Sequence, residues 1–297
     1  MDIKTFGYLY YKNRGFDREQ IIKEAEITAD EYDFYEANLK VLLQEIENEQ
    51  PRAEYIGAEF VRLTRYIYSE PSDQEKDLYR PAAVKPRQGE VIALPDVREV
   101  IKPRLTLAEA IATRRSLRKY ADLPISPDEL SWLLWATQWV RDHRSNEKME
   151  ITLRNVPSAG ARHPFETFIL GNNIEGMEKG LYYYHPINHE LVVVTKGEEI
   201  AAAIYEGCFR QEMLRTAPVV FIWTAIPYRS AWRYGQRSYR YLYLDAGHIG
   251  QNLHLAAEAI KGGACMIGAF LDEQMNTVIG VDGEEEFVIY IATVGKK

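Results

Sequence analysis

Cysteine is scarce in this chain: two in 297 residues, Cys208 and Cys265. Two cannot build a disulfide framework, and both fall in helical or apolar stretches, so buried thiols are expected. Long apolar runs are also missing. None reaches the ~18 residues a membrane helix needs, and the opening MDIKTFGYLYYKNRGFD has no basic segment followed by an apolar block. A cytoplasmic protein with no membrane partner is the expectation. Nor is there a positive excess. The net charge of −8 argues against broad nucleic-acid binding and against docking on an acidic membrane. No G-x-G-x-x-G follows a strand, no repeat or low-complexity segment occurs, and no Ser/His/Asp set stands out. His185 and His189 are four apart, but Pro186 and the flanking strand patterns argue against a helix there, so no metal site is expected.

What is present is an ordinary globular balance, 46% hydrophobic and 27% charged, in a chain long enough for one large core plus an appendage. Residues 1–50 carry Ile21, Ile22, Ala25, Leu39, Leu42, Leu43 and Ile46 at helical spacing, with Thr28 and Glu31 placed as a capping box. From Glu70 to Lys102 the prolines 71, 81, 86 and 95, with Pro103 beyond, suggest an extended linker over a surface. A boundary near 104 follows, dividing an N-terminal helical extension and linker, 1–103, from a domain over 104–297.

The second part is organised around a helix predicted from about Ser238 to Ile260, ending at Gly262-Gly263, where glycine can take the positive φ of a helix stop. It is apolar almost all round, which predicts burial in a core or a subunit interface. Asp245, His248 and Asn252 share one stripe. They are either hydrogen-bonded buried groups or the wall of a cofactor cavity. Strands are expected at Glu166–Leu170, Gly180–Tyr184, Glu190–Thr195, Pro218–Ala225 and Phe287–Val294. The polar stretch RDHRSNEKMEITLRN is expected as a mobile loop.

Three stretches look unlike plain core. Arg114, Arg115, Ser116 and Arg118 sit at a helix end and could clamp a phosphate, or simply be a solvated face. Pro157, Ser158, Ala159 and Gly160 form a turn with little bulk, suited to close approach of a flat ligand. Met266, Ile267, Gly268 and Ala269 make an apolar strap able to lie against a ring.

In this order and spacing, RRSLRKY, PSAGARHP, GLYYYHPINHEL, RYGQRSYRYLYLDAGHIGQNL and GGACMIGAF resemble the nitroreductase-like FMN flavoprotein superfamily, and within it the SagB-type dehydrogenase branch, which includes azoline dehydrogenases of peptide-modifying pathways. The likeness covers roughly residues 105–295. It implies an α+β fold with a central, mostly antiparallel sheet flanked by helices. It further implies a homodimer, with one FMN in each of two interface clefts and the long helix in that interface. By position, Arg114, Arg115, Ser116 and Arg118 would hold the phosphate and ribityl chain. Pro157–Gly160 would line one side of the ring, and Met266–Ala269 the other, with the Gly268 N–H near flavin N5. Arg233-Tyr234 matches a Lys-Tyr pair that azoline dehydrogenases place before the long helix. Arginine stays protonated and makes a poor base, so the pair would favour reactions in which Tyr234 donates a proton. Plain packing at the helix entrance is the alternative.

The sequence departs from the pattern in places. Ala161 stands where many nitroreductases have Asn. Only Lys296 and Lys297 could replace the basic pair many of them place on the phosphate. The first hundred residues are short for the peptide-clamp domains of some azoline dehydrogenases. The expected function is an FMN-dependent oxidoreductase passing hydride through N5 by a ping-pong mechanism, acting on a small molecule or modified peptide. The alternatives are an NAD(P)H-dependent nitro- or quinone reductase and a non-catalytic flavin-binding partner subunit.

Overall fold

The computed structural model describes residues 2–49, 56–100, 105–147 and 150–297. They form two compact units, Met1–Tyr68 and Ser69–Lys297. Residues 69–100, expected as a linker ahead of a boundary near 104, thus pack with the second unit.

The first unit is helical: α1 (Ile3–Asn13), α2 (Arg18–Glu24), α3 (Ala29–Glu49) and α4 (Ile56–Leu63). Tyr8, Ile21, Ala25, Ile27, Tyr32 and Tyr35 form its core, with Ile22 and Leu39 packed against it. The capping box is present: Thr28 Oγ1 accepts from Glu31 N, and the Thr28 N–H donates to the Glu31 carboxylate. The side chains of Leu42, Leu43 and Ile46 lie outside the described residues.

The second unit carries β1 (Val91–Ala93), α5 (Val97–Val100), α6 (Leu107–Thr113), α7 (Pro127–Thr137), β2 (Val140–Ser145), β3 (Glu150–Arg154), β4 (Phe165–Gly171), β5 (Gly180–His185), β6 (Glu190–Lys196), α8 (Glu199–Gly207), α9 (Met213–Thr216), β7 (Val219–Ala225), α10 (Tyr228–Tyr234), α11 (Ser238–Ala259), β8 (Gly262–Ile267), α12 (Asp272–Ile279) and β9 (Phe287–Lys296). Seven strands form one sheet in the order β1-β6-β5-β4-β7-β9-β8, with antiparallel neighbours throughout. Alternation along β7 shows why two layers of helix are needed. Val219, Phe221 and Trp223 enter a core closed by α7 and α11, while Val220 and Ile222 enter a second core closed by α8, α9 and α12. This is the expected α+β architecture. Each cysteine is a buried free thiol in the second core, and burial pushes the Cys208 thiol up to about 12.

Three local expectations need correction. The polar stretch after α7 is not an open loop: Val140–Ser145 and Glu150–Arg154 pair as a separate hairpin. Its strands are mostly polar, so hydrophobic alternation was too faint to reveal them. The helix stop is not at the glycines. Lys261 takes the left-handed conformation, φ 57°, and Gly262 and Gly263 already belong to β8. Their use is close approach: a Cβ on Gly262 would lie 2.7 Å from the Gly295 carbonyl, and one on Gly263 2.8 Å from Leu117 Cβ. Finally, α11 is not buried all round in the single chain. Leu242, Ala246, Ile249, Leu253, Ala256 and Ala257 face the first core, while Tyr243 and Leu244 are each 60% exposed.

Gly263 therefore decides whether the segment after α6 can lie against β8. Gly263→Ala should lower stability by about 1–3 kcal/mol through overpacking. Gly268→Ala, where a Cβ meets nothing within 4 Å, should stay within about 0.5 kcal/mol. Urea midpoints of both variants check this, and equal midpoints would contradict it.

Candidate functional site

The stretches singled out above converge on α11. At its middle, Asp245 is 4% exposed. It accepts a 2.6 Å bond from Ser158 Oγ and 3.2 Å contacts from the Ala159 N–H. Burial raises its carboxyl above the ordinary Asp range, while the bonds from Ser158 and Ala159, with His248 nearby, pull the other way. The turn is tightened from within by the His163 N–H, which donates to Ser158 Oγ at 2.9 Å. Gly160 has φ 58°, a conformation natural to glycine. His163 is buried beside Arg154, Arg162 and Arg141; desolvation first, then those charges, depress its pKa to about 2, so the ring is neutral.

Five residues along, α11 passes β8 at Gly250, where a Cβ would sit 3.1 Å from Met266 Sδ. Beyond it lies His254, 7% exposed, with Nδ1 buried and unpartnered among the described residues. Burial and then the Arg114 guanidinium lower its pKa. The spacing from Asp245 to His254 corresponds to ~14 Å of helix. Near the helix end Glu258 accepts from Thr113 Oγ1 at 2.9 Å and from Lys297 Nζ at 2.6 Å. Lys296 instead bonds Glu129 and the Ile260 carbonyl. Both C-terminal lysines are thus engaged by carboxylates.

The arginine cluster lies along the free edge of β8. Arg114 is the half-buried C-cap of α6. Ser116 bridges Ala264 in parallel fashion, and the Leu117 N–H donates to the Ala264 carbonyl at 3.0 Å. Arg115 turns back: its Nη1 donates to the carbonyls of Ala112 and Arg114. Arg118 is exposed, close enough to Cys265 and Tyr120 to pull on both. Among the described residues no carboxylate bonds Arg114 or Arg118.

At the opposite end, Tyr234 closes α10. Its hydroxyl lies 2.3 Å from where a Gly160 Cβ would be, and Arg233 Cδ 3.3 Å from the same point. Tyr234 also meets the Tyr241 ring edge-on at 5.0 Å. The structure therefore joins the Pro157–Gly160 turn with Arg233-Tyr234, and the Arg114–Arg118 segment with β8. Pro157 is exposed, as are Gly268 and Ala269 just after β8. Ile267 points into the second core, on the face opposite Met266, so it can offer a ligand only backbone. Of the α11 stripe, Asn252 donates to the Ala136 carbonyl at 2.9 Å and His248 is exposed. His189 uses both ring nitrogens, on Ser131 Oγ at 2.6 Å and Tyr184 Oη at 2.8 Å.

Sequence reading missed the pair Arg229–Glu166, 2% and 1% exposed. It also missed Arg162, whose Nε donates to the Arg229 carbonyl at 2.7 Å. A buried charge carries no periodic signal; its position two residues past Gly160 was the only hint for Arg162. A cavity of about 840 Å³, bounded by Tyr120, Asn172, Lys179, Glu198, Tyr205 and Arg215, touches none of the predicted site residues.

The nitroreductase family profile matches residues 111–296, more than half of the chain. A protein of Methanocaldococcus jannaschii bearing the nitroreductase name is 32% identical over 206 residues, covering 69% of this chain and 96% of the relative. The trifolitoxin-processing protein TfxF of Rhizobium leguminosarum bv. trifolii is 28% identical over 201 residues, 67% of each chain. Among solved structures, a nitroreductase-family protein of Anabaena variabilis superposes with TM-score 0.63 at 25% identity over 80% of this chain, which spans 45% of that longer protein. No described helix is long and apolar enough to cross a membrane. The chain therefore belongs to the nitroreductase family.

Proposed function

We propose that this chain is an FMN-dependent oxidoreductase working by ping-pong hydride transfer, with FMN lying along α11. The observation that carries the reading is the order of contacts on that helix. A small-residue turn fixed by Asp245 stands at one place, and a half-buried, carboxylate-free Arg114 beside His254 stands ~14 Å further on. A flat ring with a phosphate at its far end needs that pairing. The residues fit the group: the backbone around Gly268 meets open space, and His254 Nδ1 is a buried donor or acceptor without a partner among the described residues.

In this reading Arg114, Ser116 and Arg118 hold the phosphate, with charge-assisted bonds that a lone surface arginine could not make as well. Arg115, bonded to its own helix end, is at most a flank. Lys297 neutralises Glu258, and so keeps that buried carboxylate from repelling the phosphate. Ser158, Ala159 and Gly160 lie along one side of the ring, with Asp245 holding the turn; Met266, Gly268 and Ala269 line the other. Bound FMN supplies a two-electron hydride carrier at N5; the chain supplies orientation and proton handling. Tyr234, against Gly160, is placed to give or take a proton at the substrate, and Arg233 stays cationic beside it.

The exposed Tyr243 and Leu244 stripe on α11, with the exposed Leu107 and Ile111 of α6, supports a homodimer that closes the cleft from its open side. TfxF's role in trifolitoxin processing supports a modified-peptide substrate. The archaeal relative's name supports a second reading, reduction of a nitro compound or quinone at the expense of a nicotinamide cofactor. Arginine at 233 in place of a basic lysine favours that second reading.

Two outcomes are expected. Arg114→Ala and Arg118→Ala should each weaken FMN roughly tenfold to a hundredfold, as about 1.5–3 kcal/mol is lost per charge-assisted bond, with thermal unfolding little changed. Flavin retention on dilution measures it, and retention equal to wild type in both would remove the arginines from the phosphate. Wild type should oxidise an azoline-bearing peptide slowly and reduce a quinone faster. Tyr234→Phe should cut quinone reduction on the order of a hundredfold, and Arg233→Lys should raise azoline oxidation. Rapid azoline oxidation indifferent to both changes would contradict the assignment of Tyr234.

A further inference from the structure

The helix that carries Tyr234 is short, Tyr228–Tyr234, and ends at Gly235 with φ 53°. Seven residues do not make a stable helix alone, so something outside must fix it. That something is the segment 73–85, which precedes the family match at 111–296. The Tyr228 hydroxyl donates to Asp73 at 3.2 Å. The Gln74 N–H donates to the Trp232 carbonyl at 2.8 Å, and Trp232 Nε1 donates back to the Leu78 carbonyl at 3.2 Å. Arg229 Nε donates to the Ala82 carbonyl at 2.8 Å, while its Nη2 pairs with Glu166 of β4. Glu166 also accepts the Lys85 N–H at 2.9 Å and the Tyr183 hydroxyl at 2.6 Å. From the other side Arg162, two residues past Gly160, bonds the Arg229 carbonyl and stacks on the Trp232 ring at 5.0 Å.

We propose that the strap 73–85 is a positioning element of the active site: it clasps α10 against β4 and thereby sets the Tyr234 hydroxyl against Gly160. The strap does not touch the reacting centre; it acts through Trp232 and Arg229. Trp232 is 3% exposed and Arg229 2%, so each donor is a buried group that would be left unsatisfied without its carbonyl on the strap. The same strap and Trp232 also wall a cavity of about 630 Å³ with Asn146 and Glu147 at the hairpin tip. Wall and tyrosine are therefore placed by one set of contacts. The inference rests on the reading of Tyr234 as the proton-handling residue.

The test uses the full-length FMN-loaded protein and the variants Trp232→Phe, Tyr234→Phe and their combination. Trp232→Phe keeps a ring for Arg162 to stack on and deletes the bond to Leu78. Amide hydrogen exchange should accelerate at least fivefold across 228–237 and stay unchanged across 262–268. The limiting rate at which photoreduced protein is reoxidised by p-benzoquinone should fall at least fivefold. Adding Trp232→Phe to Tyr234→Phe should cost less than twofold more, because the clasp acts only through that tyrosine. Multiplying losses, a loosened α10 with an unchanged rate, or unchanged exchange would each overturn the proposal. Should Trp232→Phe not fold, Tyr228→Phe, which opens the clasp at its half-exposed end, is held to the same outcomes. A protein that takes up no FMN would sink the flavin reading alone, since the exchange measurement still reports on the clasp.

Discussion

A carboxylate in the middle of a helix, bonded to a tight turn, sets the frame for everything else in this site. Asp245 is buried, and burying a charge is costly unless it is bonded. The bonds from Ser158 Oγ and the Ala159 N–H offset that cost. They also pin a turn that has little side-chain bulk to hold itself. Remove the carboxylate and a half-buried hydroxyl and N–H lose their acceptor, a penalty of about 1 kcal/mol. The turn carries Gly160, and Gly160 receives Tyr234. Placement of the tyrosine thus depends on the helix through one acid and on the strap 73–85 through α10.

The other half of the site depends on absent side chains. Gly263 lets the Leu117 segment lie against β8, Gly262 lets β8 approach Gly295 of β9, and Gly250 lets α11 approach Met266. Substituents there would drive apart the arginines and the strand that the proposed ligand has to span. Close packing transmits such shifts, because an interior at crystal density has no slack. Rigid backbone on one side and a bonded turn on the other are what a site needs when its work is orientation.

Much of this was legible beforehand. The seven β-strand residues 219–225 and the long helix read directly from hydrophobic pattern, and the RRSLR, PSAG and MIGA stretches stood out by order and spacing. What could not be read was burial of charge. Arg229, Glu166 and Arg162 look like surface residues in the sequence; only the fold puts them under the strap. The hairpin β2–β3 was hidden because its residues are mostly polar on both faces. Gly262-Gly263 looked like a helix stop because glycine serves both positive φ and close approach, and a sequence does not say which. The direction of Ile267 depended on strand register, where one residue exchanges the two faces.

The central claim is that two copies of this chain each hold one FMN along α11. Native mass spectrometry of the purified, flavin-saturated protein tests it most directly. The account predicts a particle of two chains carrying two FMN, with only FMN released on denaturation. A folded single chain that keeps its FMN, release of FAD, or a dimer that refuses added FMN would contradict it.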